Sequence, residues 1–207
     1  MNSIEQFGII PIDFAALATV FGDHKFPKDK ISSLEKKGDL IRLKKGSYVV
    51  SPNIHNQPIS NELIANHLYG PSYISFESAL SFYNLIPERV HSIRSMTIKR
   101  SRKFSTPLGN FEYISAPKKY FEIGIQQNII KGEYAYLIAT PEKAICDIIV
   151  ATPRLRLQSV KAMQIYLEED MRIDFSAIDH INIEIIKQCI ASGKKKSELT
   201  QLYKLLK

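Results

Sequence analysis

Lysine and serine side chains recur along residues 27–45 at a spacing that suits contact with a nucleic acid. On a helix that begins at Pro27, Ile31 and Leu34 form the inward stripe, and the polar side chains point away from the core. Those outward residues are Lys28, Asp29, Ser32, Ser33 and Lys36, with Lys37 on the flank. Ammonium groups bind phosphates, and short hydroxyls can approach base edges in the major groove. The pattern therefore predicts a DNA-reading helix, with a solvated basic face on an ordinary helix as the alternative.

The segments around this helix predict the scaffold that would position it. An Ala/Leu-rich helix over residues 14–21 and a Gly-Asp turn come before it, and Gly38 ends it. Two short apolar runs, residues 40–43 and 47–50, then predict a hairpin. The order helix, turn, helix, hairpin is typical of a winged helix-turn-helix.

The predicted hairpin adds three basic side chains to the DNA-binding set. Lys44 and Lys45 are expected at its tip, where a wing touches the duplex backbone, and Arg42 lies on its first strand. Residues 25–45 hold eight Lys/Arg and three Asp/Glu, which gives a local charge of +5. Charge and element order thus indicate the same partner, double-stranded DNA.

Composition sets wider bounds on the chain. The 207 residues are 44% hydrophobic and 24% charged, with a net charge of +7, which predicts a folded protein with an acidic partner. We expect an α+β protein: a winged helix-turn-helix over residues 1–53, a central mixed α/β domain with antiparallel strands over 58–151, and a helical region over 152–207. Strands are predicted at 111–115, 120–125 and 134–139. Tail helices are predicted at 158–167, 178–190 and 197–206.

A second basic segment lies in the central region. It contains Arg94, Lys99, Arg100, Arg102 and Lys103, with Phe104 and Tyr113 nearby in sequence. A basic β-ribbon with aromatic residues would extend the DNA footprint or bind an RNA. The alternative is a charged edge strand that protects the sheet from aggregation.

The remaining residues predict neither a cofactor nor a metal or catalytic site. Cys146 and Cys189 lie in apolar helical patterns without a CxxC spacing, which favours buried free thiols in a reducing compartment. The first residues lack a secretory signal pattern, and no apolar stretch is long enough to span a membrane. We expect a cytoplasmic protein with no membrane partner.

Three sequence segments resemble the AbiEi-like antitoxins of type IV toxin–antitoxin (abortive infection) operons. These are Tyr-Ile-Ser-Phe-Glu-Ser-Ala-Leu at 73–80, Tyr-Asn-Leu-Ile-Pro-Glu at 83–88 and Ala-Thr-Pro-Glu-Lys-Ala-Ile-Cys-Asp at 139–147. The resemblance implies a phage-defence regulator whose winged helix represses its own operon. It also implies that the rest of the chain antagonises a nucleotidyltransferase-like toxin without a stable complex.

Two other functions stay open at this point. The first is a metal-dependent enzyme acting on nucleic acids or nucleotides through Glu77, Glu112, Glu142 and Asp147, although no P-loop or other catalytic motif is present. The second is an adaptor that binds a protein partner through the helical tail.

Lys143 and Asp147, four residues apart, are expected to pair on the surface of their helix.

Overall fold

The chain folds into a mixed α+β structure. The computed structural model describes residues 4–22, 24–88, 90–177 and 181–207. These residues form two separate sheets, one of three strands and one of six. Over these described ranges, every helix is too short or too polar to cross a lipid bilayer.

The N-terminal region combines two helices with the smaller sheet. Its elements are a 3-10 turn at Glu5–Phe7, β1 (Ile12–Asp13), α1 (Phe14–Val20), α2 (Pro27–Lys37), β2 (Leu40–Lys44) and β3 (Ser47–Val50). The Asp13 carboxylate caps α1 by accepting a hydrogen bond from the Ala16 amide at 2.7 Å. The strand order is β1-β3-β2, and all pairs are antiparallel. The predicted helices and both hairpin strands are therefore present.

The six-stranded sheet forms the centre of the molecule. Its strands are β4 (Ser72–Ile74), β5 (Ser92–Thr97), β6 (Arg102–Thr106), β7 (Gly109–Ser115), β8 (Ile125–Ile130) and β9 (Tyr134–Ala139). The strand order is β6-β7-β5-β4-β9-β8, with parallel pairing of β4 with β9 and of β5 with β7. The expectation of antiparallel strands is therefore wrong for these two pairs, because each pair joins strands that are not consecutive in the chain.

Helices surround this sheet and continue to the end of the chain. They are α3 (Pro52–His55), α4 (Asn61–Leu68), α5 (Phe76–Phe82), α6 (Lys118–Phe121), α7 (Pro141–Ala151), α8 (Val160–Ile165), α9 (Ile183–Ala191) and α10 (Lys196–Leu206). A π-helical turn, Tyr166–Asp170, extends α8, and a 3-10 turn follows at Phe175–Ala177. The three tail helices are confirmed, except that residues 178–180 lie outside the described ranges. The predicted strand at 120–125 is wrong, because α6 begins directly after Pro117 and buries Tyr120.

Two hydrophobic cores hold these elements, and the hairpin contributes to both. Leu40 and Val50 pack in the small N-terminal core, whereas Leu43 and Val49 pack in the large core under the six-stranded sheet. Successive residues of β3 point to opposite faces, so the hairpin is buried on both sides. The large core also includes Leu199 of α10, so residues 152–207 do not form a core of their own.

Candidate nucleic-acid interface

The predicted outward face of α2 is open to solvent. Ile31 and Leu34 are buried, as the helical spacing predicted. All five predicted DNA-contacting side chains of this helix are exposed: Lys28, Ser32, Ser33, Lys36 and Lys37. Their ammonium and hydroxyl groups are therefore free to reach a partner that approaches this face.

A groove separates α2 from the hairpin. It encloses about 660 Å³. Its lining includes Lys28 and Ser32 from α2, Arg42 and Lys45 from the hairpin, and the half-exposed ring of Phe14. Arg42 lies 3.9 Å from Glu35, and about half of the Arg42 side chain is exposed. The helix and the hairpin thus present basic groups toward the same space.

Lys44 does not lie at the hairpin tip, and this expectation is corrected. Lys45 and Gly46 form the turn, while Lys44 is the last residue of β2. The Lys44 ammonium donates a hydrogen bond to the Leu68 carbonyl, at the end of α4, and lies 5.7 Å from the centroid of the Phe104 ring. It is directed toward the six-stranded sheet because this side of β2 faces the large core.

The five cations of the second basic segment separate into two sets. Arg94 lies between Glu77, at 2.5 Å, and Glu112, at 3.3 Å, with its guanidinium 4.3 Å from the Phe76 ring centroid. Lys103 also pairs with Glu112, at 2.7 Å. These two cations are neutralised by the protein itself, contrary to the prediction that both belong to one free basic ribbon.

The second set lies on the other face of the ribbon. Arg102 and Phe104 alternate with Lys103 along β6, so they point away from Glu112. Arg102 lies 5.1 Å from the Phe104 centroid and 6.0 Å from that of Tyr69, and the Lys99 ammonium lies 5.2 Å from the Tyr69 centroid. Arg100, the last of the five, is exposed in the β5–β6 connection.

Lys44, Lys99 and Arg102 therefore meet over a shelf made by Tyr69 and Phe104; we refer to these five residues as the cation–aromatic cluster. The two rings are 5.6 Å apart. Partial burial lowers the pKa of the Lys44 ammonium, and the positive charges of Lys99 and Arg102 lower that pKa further. Sequence reasoning missed the role of Tyr69, since its ring meets these cations only through the tertiary fold.

The four carboxylates considered for an enzyme are each engaged by the protein. Glu77 and Glu112 hold Arg94, and Glu142 accepts a hydrogen bond from the Asn182 amide at 2.7 Å. Asp147 is paired with Lys143. In the part of the chain that the structure covers, no three His, Cys, Asp or Glu residues gather in a way that could hold a metal ion.

A buried polar network joins two of the sequence segments quoted above. Lys143 and Asp147 pair at 3.0 Å with both side chains completely buried, so the pairing is confirmed but its predicted place on the helix surface is wrong. Asp147 also accepts hydrogen bonds from Ser75, at 2.5 Å, and Tyr73, at 3.0 Å. Burial, and then the negative charge of Asp147, raise the pKa of the Tyr73 hydroxyl.

The two cysteines lie in the same interior. Cys146 is on α7 and Cys189 on α9, and both are buried free thiols, which confirms the prediction of unpaired buried cysteines. The adjacent Cys189 thiol and burial together raise the pKa of the Cys146 thiol. Both groups are therefore placed to fill space in the core.

Comparison with known proteins gives little to set beside this geometry. No protein-family model and no curated protein matches the sequence. Among solved structures, the chain is similar to the "crystal structure of JHP933 from Helicobacter pylori", with 13% identity and a TM-score of 0.32. That similarity covers 69% of this chain and 74% of the Helicobacter chain.

Proposed function

We propose that residues 1–53 act as a winged helix-turn-helix that binds double-stranded promoter DNA and represses transcription. The single observation that carries this proposal is the exposed face of α2, where three lysines and two serines are free of contacts with the core. Lys45 at the hairpin tip lines the same groove as Lys28, which supports contact of the helix and the wing with one duplex.

The proposed contacts divide into two kinds. Lys28, Lys36 and Lys37 neutralise phosphates at the edges of the major groove, and Lys45 does so from the wing. Ser32 lies mid-helix, where a short hydroxyl can approach base edges. Arg42, inside the groove, is released from its long ion pair with Glu35 when a phosphate replaces the carboxylate.

We further propose that the protein is the autorepressor and antitoxin of a type IV toxin–antitoxin operon, acting against a nucleotidyltransferase-like toxin. The support is the sequence resemblance. Tyr73 and Ser75 of one matching segment donate hydrogen bonds to Asp147 of another, and all three residues are buried in the interior of the central region. The antitoxin surface therefore has to lie elsewhere on that region.

DNA binding is tested by charge reversal at the helix and the wing. The double variant K36E/K45E is compared with K161E/K204E, which makes the same charge change at exposed positions of the tail helices. Affinity for a labelled duplex from the upstream promoter is measured by fluorescence anisotropy over a range of salt concentrations. We expect K36E/K45E to bind at least about tenfold more weakly, with a log K against log salt slope shallower by roughly 2, while the control stays close to wild type.

Equal affinities for wild type and K36E/K45E would refute the DNA-binding proposal. The antitoxin proposal has a separate test, in which the chain is co-expressed with the product of the neighbouring reading frame and growth is followed. Rescue without a co-purifying partner supports antagonism of a toxin, whereas a stoichiometric complex supports the adaptor function.

A further inference from the structure

Three cations converge where the hairpin meets the six-stranded sheet. Lys44 comes from β2, Lys99 follows β5, and Arg102 begins β6. Each has no carboxylate within 4.0 Å among the described residues, whereas Arg94 and Lys103 on the opposite face of the ribbon both have one. Strand alternation thus separates Arg102 from the neutralised Lys103 on β6, and Lys44 and Lys99 lie on the Arg102 side, where the positive charge is unbalanced.

The two lysines of the cluster donate to backbone carbonyls at and just after the end of one helix. Lys44 donates to the carbonyl of Leu68, the last residue of α4, and Lys99 donates to the Gly70 carbonyl, which follows the helix. The last carbonyls of a helix lack partners within it and carry a partial negative charge equivalent to about half an electron. Because three full positive charges meet there, this partial charge leaves most of the cluster uncompensated.

The cluster keeps donors available for a ligand. An ammonium has three donors, so Lys44 and Lys99 retain two each after their hydrogen bonds to carbonyls. The Arg102 guanidinium stacks against Tyr69 and Phe104 and makes no hydrogen bond or ion pair with the described residues. Both Lys99 and Arg102 are exposed, so an anion can approach them from solvent.

The lowered pKa of Lys44 agrees with this crowding of positive charge. Partial burial is the main cause that disfavours the charged Lys44 ammonium, and the neighbouring charges of Lys99 and Arg102 add to it. A bound phosphate dianion favours the charged form of Lys44, because its negative charge stabilises all three cations at once.

We propose that Lys44, Lys99 and Arg102 form a binding site for a phosphate group, and that an occupied site ties the hairpin to the six-stranded sheet. The site bridges the two parts of the chain because Lys44 belongs to the hairpin, whereas Arg102 belongs to the sheet. The ligand is either a free phosphate or phosphomonoester, or one phosphodiester group of a nucleic-acid backbone. The proposal is independent of the function assigned to α2.

The first test uses inorganic phosphate as the probe. Thermal unfolding of wild type, K99Q/R102Q and the control K103Q/K119Q is measured in phosphate and in chloride at equal ionic strength. Phosphate stabilises folded proteins in general, so the difference between variants is the informative quantity. At about ten times the dissociation constant, we expect phosphate to raise the Tm of wild type and control by roughly 3 °C more than that of K99Q/R102Q.

Equal phosphate-dependent shifts in all three proteins would overturn the proposal. K103Q/K119Q makes the same charge change, but Lys103 lies on the opposite face of β6 and Lys119 lies on α6. Because Lys99 and Arg102 are exposed, the variant is expected to fold, which circular dichroism in chloride verifies.

A second measurement separates the two phosphate sources. Isothermal titration with a nucleoside 5′-monophosphate and with a short DNA duplex is carried out on wild type and K99Q/R102Q in chloride buffer. A variant-specific loss with the monophosphate identifies a free phosphate ligand, and a loss only with the duplex identifies a backbone contact. If both probes bind the variant as they bind wild type, the site is refuted.

K36E/K45E is expected to keep its phosphate-dependent Tm shift. Failure of DNA binding by α2 is therefore distinguishable from failure of this proposal.

Discussion

The Lys143 ammonium lies 3.0 Å from the Asp147 carboxylate, and neither side chain has any exposed surface. The ammonium also donates to the Tyr120 carbonyl at 3.0 Å, and the carboxylate accepts from Tyr73 and Ser75. An ion pair in the interior is tolerated only when both charges are matched by such partners. This pair therefore connects α7 to β4 and α6.

Removal of one charge from this pair is expected to destabilise the fold strongly. D147N leaves a buried ammonium without its counter-charge, and we expect a loss of about 3 to 5 kcal/mol in the free energy of unfolding, measured by urea denaturation. The control K187Q breaks the exposed pair with Glu184 and is expected to leave the free energy of unfolding close to that of wild type. A loss below about 1 kcal/mol in D147N would show that the interior is more polar than the structure indicates.

Gly124 is expected to tolerate no side chain. Its φ of +60° disfavours other residues, and an added Cβ would lie 2.8 Å from the Cβ of Lys143 and 2.9 Å from Ile185. We expect G124A to lose roughly 2 to 4 kcal/mol in urea denaturation. Gly132 has a φ of +74° but open space around it, so G132A is expected to lose only about 1 kcal/mol. Equal losses would mean that backbone strain alone, without the Lys143 contact, governs both sites.

The Tyr83 hydroxyl predicts a decrease in stability at alkaline pH. It donates to the Ala139 carbonyl at 2.9 Å, and burial, followed by the negative charge of Glu142, raises its pKa to about 12. Because this folded-state pKa is above the unfolded value near 10, the hydroxyl's contribution is complete below pH 10 and is lost as pH rises towards 12. Urea denaturation at several pH values is expected to show a steeper loss for wild type than for Y83F. Parallel curves for the two proteins would contradict the assignment.

Arg94 is expected to matter for stability more than for binding. R94Q leaves Glu77 and Glu112 without their shared cation and removes the stacking on Phe76, so we expect a loss of about 1 to 3 kcal/mol. R100Q removes an exposed charge from the neighbouring connection and is expected to stay within about 0.5 kcal/mol of wild type. Denaturant unfolding measures both. If the two variants were equally stable, the bridging role of Arg94 would be wrong.

Local features of the fold followed from the order of residues. The spacing of Ile31 and Leu34 predicted the buried stripe of α2, and Gly38 marked its end. A threonine followed by a proline is a typical helix start, and at α7 the Thr140 hydroxyl accepts a hydrogen bond from the Lys143 amide. These signals are readable because helix periodicity and capping depend on residues only a few positions apart.

The tertiary structure decided which charges are free and which are buried. Lys143 and Asp147 look like an ordinary surface pair in the sequence, yet packing of α7 against the sheet removes both from water. Lys44 and Lys45 are adjacent and chemically identical, but Lys44 ends β2 and lies beside the Phe104 ring, whereas Lys45 belongs to the turn and is exposed. Whether a side chain is buried depends on which strands and helices pack against it. Those elements can be distant in sequence, so no single segment predicts the burial of its own residues.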